Sequence, residues 1–351
     1  MSATGLLIYG ANGYVGEAAA RLAVAQGLSP VLAGRNRAEV ERLAAELGVE
    51  ARVSALDDPH TLDAALEGMR VVLHMAGPYV FTAQPMVDAC LRNGVHYLDI
   101  TGELPVLEAL ASRDAEARAR GVMVMPAVGL DSVPSDCLAA HLLRRLPEAT
   151  QLTLGLQTSG PAGLPPGTQR TMIEMAHRSG KVVRGGALSP ADGAFATRTI
   201  DFGRGPVTAV RFPAPDPFIA FRTTGIANIA MYVALSPLLR VGYRLVKTVQ
   251  PILRSSAVRD FLKRFVAPGP GAEALASSST HVWAEARSEA GAVAVSRLHG
   301  PEGAVVWTTR SALVIVRKIL GGTASPGFQT PAGVYGPDLV LESAGVVRED
   351  L

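Results

Sequence analysis

The chain has 351 residues, of which 48% are hydrophobic and 18% are charged, so a disordered or fibrous protein is excluded. At roughly 100–200 residues per domain, this length predicts about two domains. The formal net charge of +2 is too small for a protein that binds nucleic acid by neutralising phosphates, so we expect no nucleic-acid partner.

Short apolar runs alternate with helical patterns over the first 126 residues. Both faces of a parallel sheet are covered, so its strands are continuously apolar rather than alternating. We therefore predict an α/β fold with a doubly wound parallel-sheet Rossmann domain. The predicted strands are 6–9, 30–33, 52–56, 71–75, 96–100 and 122–126, and the predicted helices are 14–25, 38–47, 60–66, 84–92 and 105–120.

The pattern changes in the second half of the chain, where strands alternate between polar and apolar residues and Gly/Pro-rich stretches are frequent. Such a mixture is typical of a second domain of the α+β class, which we place at 138–321. Its predicted strands are 151–157, 281–288 and 293–299, with a turn at 289–291, and its predicted helices are 168–179, 237–266 and 308–320.

A glycine-rich loop, Gly10-Ala-Asn-Gly13-Tyr-Val-Gly16, directly follows the first predicted strand and opens the first helix. The first glycine permits a tight turn, the second lets the backbone approach a pyrophosphate, and the third permits close packing of helix on strand. The helix N-terminus offers N–H groups to phosphate oxygens. This pattern predicts a dinucleotide site, with a purely structural turn as the alternative.

The residues after the second strand bear on which dinucleotide binds. NAD sites usually carry Asp or Glu there, whereas this chain has Gly34-Arg-Asn-Arg37 and no carboxylate before Glu39. A guanidinium suits a 2′-phosphate, although it can also be a solvated Arg at a helix start. We predict NADP(H), with NAD(H) as the alternative. The predicted cofactor-binding residues are Gly10, Asn12, Gly13, Tyr14, Val15, Gly16, Gly34, Arg35, Asn36, Arg37, Asp57, Ala76, Gly77 and Pro78.

Two of these groups are assigned from the ends of later strands. Asp57 follows the third strand and is expected beside the adenine; it or Asp58 can equally cap the next helix. Ala76, Gly77 and Pro78 follow the fourth strand and are expected to face the nicotinamide ribose.

Several further segments resemble the saccharopine dehydrogenase-like oxidoreductases, and most nearly their trans-acting enoyl reductase branch. These are Gly77-Pro-Tyr, Pro85-Met-Val-Asp-Ala-Cys90, Gly94-Val-His-Tyr-Leu-Asp-Ile-Thr-Gly-Glu103, Gly129-Leu-Asp-Ser-Val-Pro-Ser-Asp136 and Phe328-Gln-Thr-Pro-Ala.

The resemblance is specific over residues 1–137 and loose over 155–320. It implies a dinucleotide-binding domain, 1–137, that is completed by 322–351, with a substrate and dimerisation domain inserted between the two parts. It also implies NAD(P)-dependent oxidoreduction, without specifying the substrate.

Hydride transfer to an enoyl, imine or carbonyl group also needs a proton donor, and the carboxyl ends of parallel strands are where such groups lie. The predicted catalytic residues are Tyr79, Asp99, Glu103 and Asp131. Tyr79 is the best proton-donor candidate, with an aromatic lid over the cofactor as the alternative. Asp99 and Glu103 form a candidate carboxylate pair. Glu103 and Asp131 can instead mark the starts of helices.

Residues 240–264 contain seven basic side chains and one acidic side chain, interleaved with apolar residues. A basic amphipathic helix of this kind can lie on an anionic membrane surface or bind an acidic acyl carrier protein; a dimer interface or a solvated helix is the alternative. The charge-free run 223–239 is shorter than the about 20 residues that span a bilayer, so we predict no transmembrane segment.

Cys90 and Cys137 lack the spacing of a metal site, so we expect no metal and a reducing, cytoplasmic location that is compatible with peripheral membrane binding. Together the observations predict an NADP(H)-dependent reductase of an unsaturated or lipid-like acyl substrate. An imine or amino-acid reductase of the saccharopine type is one alternative, and a non-catalytic NADPH-binding, lipid-associated protein is another. We expect a homodimer.

Overall fold

The protein divides into two compact units. The computed structural model describes residues 5–178, 180–191 and 196–351. The first unit contains the described residues up to Leu130 together with Val305–Gln329, and the second contains Asp131–Ala304 and Thr330–Leu351.

The first part of the chain alternates strictly between strands and helices. Its elements are β1 (Leu6–Tyr9), α1 (Tyr14–Ala25), β2 (Val31–Gly34), α2 (Arg37–Leu47), β3 (Ala51–Val53), α3 (Pro59–Leu66), β4 (Val71–His74), α4 (Tyr79–Asn93), β5 (His96–Asp99), α5 (Leu104–Ala111), α6 (Asp114–Ala119) and β6 (Met123–Met125).

The second unit mixes strands with shorter helices. Its elements up to Ala304 are α7 (Val133–Arg145), β7 (Ala149–Ser159), α8 (Pro166–Met175), β8 (Lys181–Arg184), β9 (Ala187–Pro190), β10 (Thr197–Asp201), β11 (Pro206–Arg211), α9 (Asp216–Thr224), β12 (Asn228–Ala234), α10 (Pro237–Val249), α11 (Ser256–Leu262), α12 (Ala272–Ala276), β13 (Ser279–Ser288) and β14 (Val293–Glu302).

The remaining elements alternate between the two units. The first unit receives α13 (Ala304–Leu320) and β15 (Gly327–Phe328), and the second receives α14 (Pro331–Tyr335) and β16 (Val347–Asp350). Short 3-10 turns lie at Ile252–Arg254, Lys263–Phe265 and Leu339–Glu342.

The strands described in the first unit form a parallel sheet in the order β15-β6-β5-β4-β1-β2-β3. Every residue of β1, β2 and β4 is buried, which explains why these strands read as continuous apolar runs. The predicted doubly wound Rossmann domain is confirmed. Because all strands run in one direction, their carboxyl ends lie at the same edge, where this fold binds nucleotides.

The second unit contains a mixed sheet in the order β10-β11-β12-β7-β13-β14-β16, with the β8–β9 hairpin attached to β12. Strands β7 and β12 are parallel, and the other pairs along the path are antiparallel. The predicted α+β fold and its β13–β14 hairpin are confirmed. One part of its core consists of Ile200, Phe202, Ala209, Tyr232 and Trp283.

The structure corrects several predicted helices. The helix predicted at 84–92 begins at Tyr79, because the Glu103 side chain binds its first N–H groups. The helix predicted at 105–120 is two helices, α5 and α6. The helix predicted at 237–266 is broken after Val249, where Pro251 interrupts the backbone pattern, and continues as two short turns around α11.

The C-terminal segment is shared between the units, which corrects the expectation that 322–351 completes the first domain. Strand β15 does pair with β6 of the first sheet, but β16 pairs with β14 of the second. Helix α13, predicted within the second domain, lies in the first unit, where Arg70 donates to the Leu320 carbonyl. Within the described residues, every helix is too short or too polar to cross a membrane.

Candidate functional site

The turn after β1 is built so that only glycine fits at two of its positions. Gly10 has a φ of 79°, and a Cβ there would lie 2.8 Å from the Ala76 Cβ. A Cβ on Gly16 would lie 2.1 Å from the Gly10 carbonyl oxygen. The backbone of the turn therefore lies directly against the segment after β4, and α1 packs against the turn, as the glycine spacing predicts.

Helix α1 begins immediately after this turn. Its N-cap is Gly13, which has no side chain to bind the first N–H groups, and Glu17 N donates to the Gly13 carbonyl at 2.7 Å. The first N–H groups of a helix lack partners within the helix and carry partial positive charge. The start of α1, at Tyr14, Val15 and Gly16, is therefore a suitable anion-binding position.

Arg35 is exposed directly after β2 and forms no ion pair with any carboxylate in the described part of the chain. Burial raises the pKa of Tyr9, at the end of β1, to about 12, and the charge of Arg35 opposes this shift. Arg35 is thus within electrostatic reach of the end of β1. Two neighbouring residues that the sequence predicts to bind the cofactor have partners within the protein. Asn36 accepts a hydrogen bond from Glu39 N and caps α2, and Arg37 pairs with Glu41 at 2.8 Å.

Asn12 connects the glycine turn to α2. Its Nδ2 donates to a Glu39 carboxylate oxygen at 2.5 Å, and its Oδ1 lies 3.1 Å from where a Cβ on Gly34 would be. Gly34 therefore leaves room for Asn12 above the end of β2. The Glu39 carboxylate and the Arg35 guanidinium therefore both lie near the end of β2. This is the position at which NAD sites and NADP sites carry different residues.

The acids after β3 have different positions. Asp58 accepts hydrogen bonds from His60 N at 3.1 Å and Thr61 N at 3.3 Å, so it caps α3. The Thr61 N–H contributes most to holding the pKa of Asp58 below its usual value. Asp57 is exposed, and its charge acts on Tyr9 in the direction opposite to that of Arg35. The placement of Asp57 beside an adenine stays a prediction.

Two of the predicted catalytic residues, Tyr79 and Glu103, are joined to each other. The Glu103 carboxylate accepts hydrogen bonds from Tyr79 N at 2.9 Å and Val80 N at 2.7 Å, which are the first N–H groups of α4. Tyr79 is buried, its hydroxyl donates to the His74 carbonyl at 3.2 Å, and its ring meets that of His74 edge to face. These contacts give both residues structural roles, and their catalytic roles stay predictions.

Asp99 is fully buried at the end of β5. One carboxylate oxygen accepts from Thr101 N at 2.9 Å and Ala127 N at 2.8 Å, and the other accepts from the Tyr97 hydroxyl at 2.7 Å. Burial raises the pKa of Asp99 to about 6 although these hydrogen bonds favour the charged form. Asp99 thereby joins β5 to the loop after β6. Its role in proton transfer stays a prediction.

The fourth candidate, Asp131, is exposed just before α7 and stands at the start of the second unit. Two buried acids in this unit were not among the predicted site residues. The Ser135 hydroxyl donates to Asp216 at 2.6 Å, and Ala332 N donates to Asp136 at 2.7 Å. Burial raises the pKa of Asp136 to about 7 and that of Asp216 to about 8, and the charges of Asp131 and Asp136 add to the second shift.

Of these two buried acids, the sequence pattern could have identified Asp136 but not Asp216. Asp136 stands in the segment Gly129–Asp136 that carries the family resemblance, so it could have been singled out. Asp216 lies 80 positions further along the chain, and nothing in its local pattern connects it with Asp136. Only the packing of α7 against α9 brings the two acids into one electrostatic environment.

A comparison with known proteins shows what the first unit is similar to. Residues 6–125 match the family model of the saccharopine dehydrogenase NADP binding domain. The match covers about a third of the chain. The resemblance and the preference for NADP(H) that the sequence predicts are therefore confirmed.

Curated relatives match this chain over less than half of its length. A trans-acting enoyl reductase of Mycobacterium leprae is 36% identical over 151 residues, which cover 41% of this chain and 36% of the relative. A saccharopine dehydrogenase-like oxidoreductase of Bos taurus is 29% identical over 181 residues, which cover 45% of this chain and 42% of the relative. The chain thus spans about two fifths of the length of these relatives.

A solved structure of similar fold matches over nearly all of the chain. It is apo saccharopine dehydrogenase (L-Glu forming) from Saccharomyces cerevisiae, with a TM-score of 0.70, 14% identity and coverage of 99% of both chains. At this identity the match concerns the fold. The saccharopine dehydrogenase-like architecture therefore extends through the second unit as well as the NADP-binding domain.

The contact of α1 with the glycine turn makes Gly16→Ala a sharp test of the site. The added Cβ would displace the Gly10 carbonyl, so we expect NADPH affinity to fall by about tenfold or more, measured by fluorescence titration. Gly167→Ala is the control, because a Cβ there meets nothing within 4 Å. Circular dichroism checks that both variants fold. Unchanged NADPH affinity in a folded Gly16→Ala would contradict the assigned role of the turn.

The acid cluster predicts an unusual pH dependence of stability. Asp216 binds its proton more tightly when folded than when unfolded, so its contribution to stability decreases as pH rises from about 4 to about 8. We expect Asp216→Asn to reduce the loss of unfolding free energy between pH 5 and pH 8 by on the order of 3 kcal/mol, measured by urea denaturation. Glu289→Gln, in an exposed turn, should keep the wild-type slope. Equal slopes for the two variants would show that Asp216 titrates normally.

Proposed function

We propose that the protein is an NADP(H)-dependent oxidoreductase that reduces an unsaturated, lipid-like acyl substrate. The observation that carries the proposal is the glycine turn at the start of α1, inside a domain that matches an NADP-binding family model. The identity of 36% to a trans-acting enoyl reductase supports reduction of an acyl chain as the reaction.

The residues of the first unit fit a dinucleotide. A Cβ at Gly10 or Gly16 would clash with neighbouring atoms, so the two glycines let the turn, α1 and the segment after β4 pack closely together. The start of α1 would hold the pyrophosphate, and Ala76, Gly77 and Pro78 would line the nicotinamide ribose. When bound, NADPH supplies the hydride.

Arg35 is the residue that we propose for recognition of the 2′-phosphate. It is exposed, it follows β2, and its planar donor fork can bind two phosphate oxygens. Glu39 opposes this assignment because a carboxylate at this edge favours a ribose hydroxyl over a phosphate. Its hydrogen bond from Asn12 holds Glu39 to the glycine turn and gives it a structural function.

The proton that must follow the hydride needs a donor among the chain's own groups. Of the four predicted candidates, Tyr79, Asp99 and Glu103 are buried, and each is bound to backbone groups. Asp131 is the candidate whose side chain is accessible to solvent, and desolvation of its carboxyl raises its pKa, which favours the protonated form. We therefore propose Asp131 as the first of the four to test once a substrate is known.

The 2′-phosphate assignment predicts a selective loss. We expect Arg35→Ala to weaken NADPH by about tenfold or more and to leave NADH nearly unchanged, because the lost interaction involves only the extra phosphate. Isothermal calorimetry with both dinucleotides measures this. Arg42→Ala, also exposed and located on α2, is the control.

Equal weakening of both dinucleotides by Arg35→Ala would contradict the assignment. In that case Glu39→Ala shows whether the carboxylate binds the ribose instead, since NADH affinity would then fall most.

The reaction class is tested with substrates. We expect NADPH to be consumed, with loss of nicotinamide absorbance, when trans-2-enoyl thioesters of increasing chain length are added. Consumption only with imines formed from amino acids would instead indicate a saccharopine-type reductase. Tight NADPH binding with no consumption across both panels would indicate a dinucleotide-binding protein without turnover.

A further inference from the structure

Helix α10 presents its apolar side chains to solvent. Leu238 is 81% exposed, Val241 53% and Leu245 62%, and Val249 is exposed as well. Their spacing of three, seven and eleven residues from Leu238 places them on one stripe of the helix, since three or four residues make a turn. An exposed stripe of this length on a globular protein marks a surface that binds something.

The opposite side of α10 packs against the rest of the second unit. The Tyr243 ring lies 5.7 Å from that of Phe212, centroid to centroid, and its hydroxyl donates to the Arg211 carbonyl at 3.4 Å. Tyr243 is two residues from both Val241 and Leu245, so it points away from the apolar stripe. A surface helix normally buries its apolar stripe, whereas the apolar stripe of α10 is exposed to solvent.

The segment after α10 also directs charged groups inward and exposes apolar side chains to solvent. Glu174 of α8 is buried and pairs with Arg259 at 3.1 Å and with Lys263 at 2.7 Å, so charged groups face inward. The rings of Phe261 and Phe265 contact each other with centroids 5.2 Å apart and are both largely exposed. Thus polar contacts attach the segment, and apolar side chains face solvent.

The charge of the segment from α10 onward indicates which kind of partner can bind its exposed apolar side chains. Residues 240–264 carry seven basic side chains and one acidic side chain, and two of the basic ones, Arg259 and Lys263, pair with Glu174. The side chains of Arg244, Arg254 and Arg264 are exposed. In a symmetric dimer the same patch from each copy would meet, so these like charges would repel each other. An anionic phospholipid surface instead attracts the basic side chains and accepts the apolar ones at the boundary of headgroups and acyl chains.

We propose that this part of the second unit, the amphipathic surface, binds an anionic phospholipid bilayer without spanning it. The apolar side chains enter the headgroup boundary, and the guanidinium groups meet lipid phosphates. The amphipathic surface consists of the exposed apolar residues Leu238, Leu239, Val241, Leu245, Val249, Ile252, Phe261 and Phe265 and the exposed basic residues Arg244, Arg254 and Arg264.

Vesicle flotation tests the proposal with the full chain. We expect binding to vesicles of phosphatidylcholine mixed with phosphatidylserine to be about tenfold or more tighter than binding to phosphatidylcholine alone, and to weaken as salt is added. Absence of flotation with the mixed vesicles at low salt would overturn the proposal.

Two variants separate the apolar and electrostatic contributions. We expect Leu245→Asp to reduce binding to mixed vesicles by about tenfold or more, because it places a charge among apolar contacts and repels the lipid. Val347→Asp is the matched control, since Val347 is 61% exposed but lies in β16. Arg254→Glu should reduce the preference for phosphatidylserine and leave weak binding to phosphatidylcholine unchanged.

An unchanged circular dichroism spectrum and thermal unfolding transition show that these variants are folded. Unchanged NADPH binding makes failure of the membrane proposal distinguishable from failure of the proposed function. Equal flotation of Leu245→Asp and the wild type would overturn the proposal. So would a wild-type dimer, seen by sedimentation, that Leu245→Asp dissociates in the absence of any vesicle binding. Binding of a purified acyl carrier protein together with no vesicle binding would assign the surface to that partner instead.

Discussion

The close approach of α1 to the turn after β1 is the constraint on which the nucleotide site depends. The Gly10 carbonyl occupies the position that a Cβ on Gly16 would need, and the segment at Ala76 occupies the position that a Cβ on Gly10 would need. Because three pieces of backbone meet without side chains between them, the N-terminus of α1 reaches the edge of the sheet. The fit to a dinucleotide follows from this contact, and the match of residues 6–125 to an NADP-binding domain agrees with it.

Buried carboxylates near the strand ends act mainly as clamps on the backbone. Glu103 binds the start of α4, and Asp99 binds the loop after β6, so each replaces hydrogen bonds that those N–H groups would make with water. Acids at the carboxyl edge of a parallel sheet invite a catalytic interpretation. The hydrogen-bond partners of Glu103 and Asp99 show that these acids position the backbone at that edge. Acids with such structural roles are weaker candidates for the proton donor.

The two units use apolar residues in opposite ways. In the first unit the apolar strands are buried on both faces and hold the sheet that presents the dinucleotide site. In the second unit a large set of apolar side chains on and after α10 stays exposed, while Glu174 and Tyr243 hold that segment in place from its polar side. The proposed dinucleotide chemistry and the proposed attachment to a bilayer thus involve different parts of one chain.

Four features could be predicted from the sequence: the alternation of strands and helices in the first domain, the glycine turn, Arg35 after β2 and the basic character of residues 240–264. They are encoded in local spacing and composition, whereas the order of the strands in the sheet is a property of the fold. The sequence pattern placed the start of α4 five residues too late and assigned residues 322–351 to one domain, because capping by Glu103 and the pairing of β15 and β16 are contacts between residues far apart in the chain. The tertiary structure alone decided that Asp136 and Asp216 share one buried environment and that the apolar stripe of α10 faces outward. Periodicity shows that a helix has two faces, but only packing decides which of them meets the core.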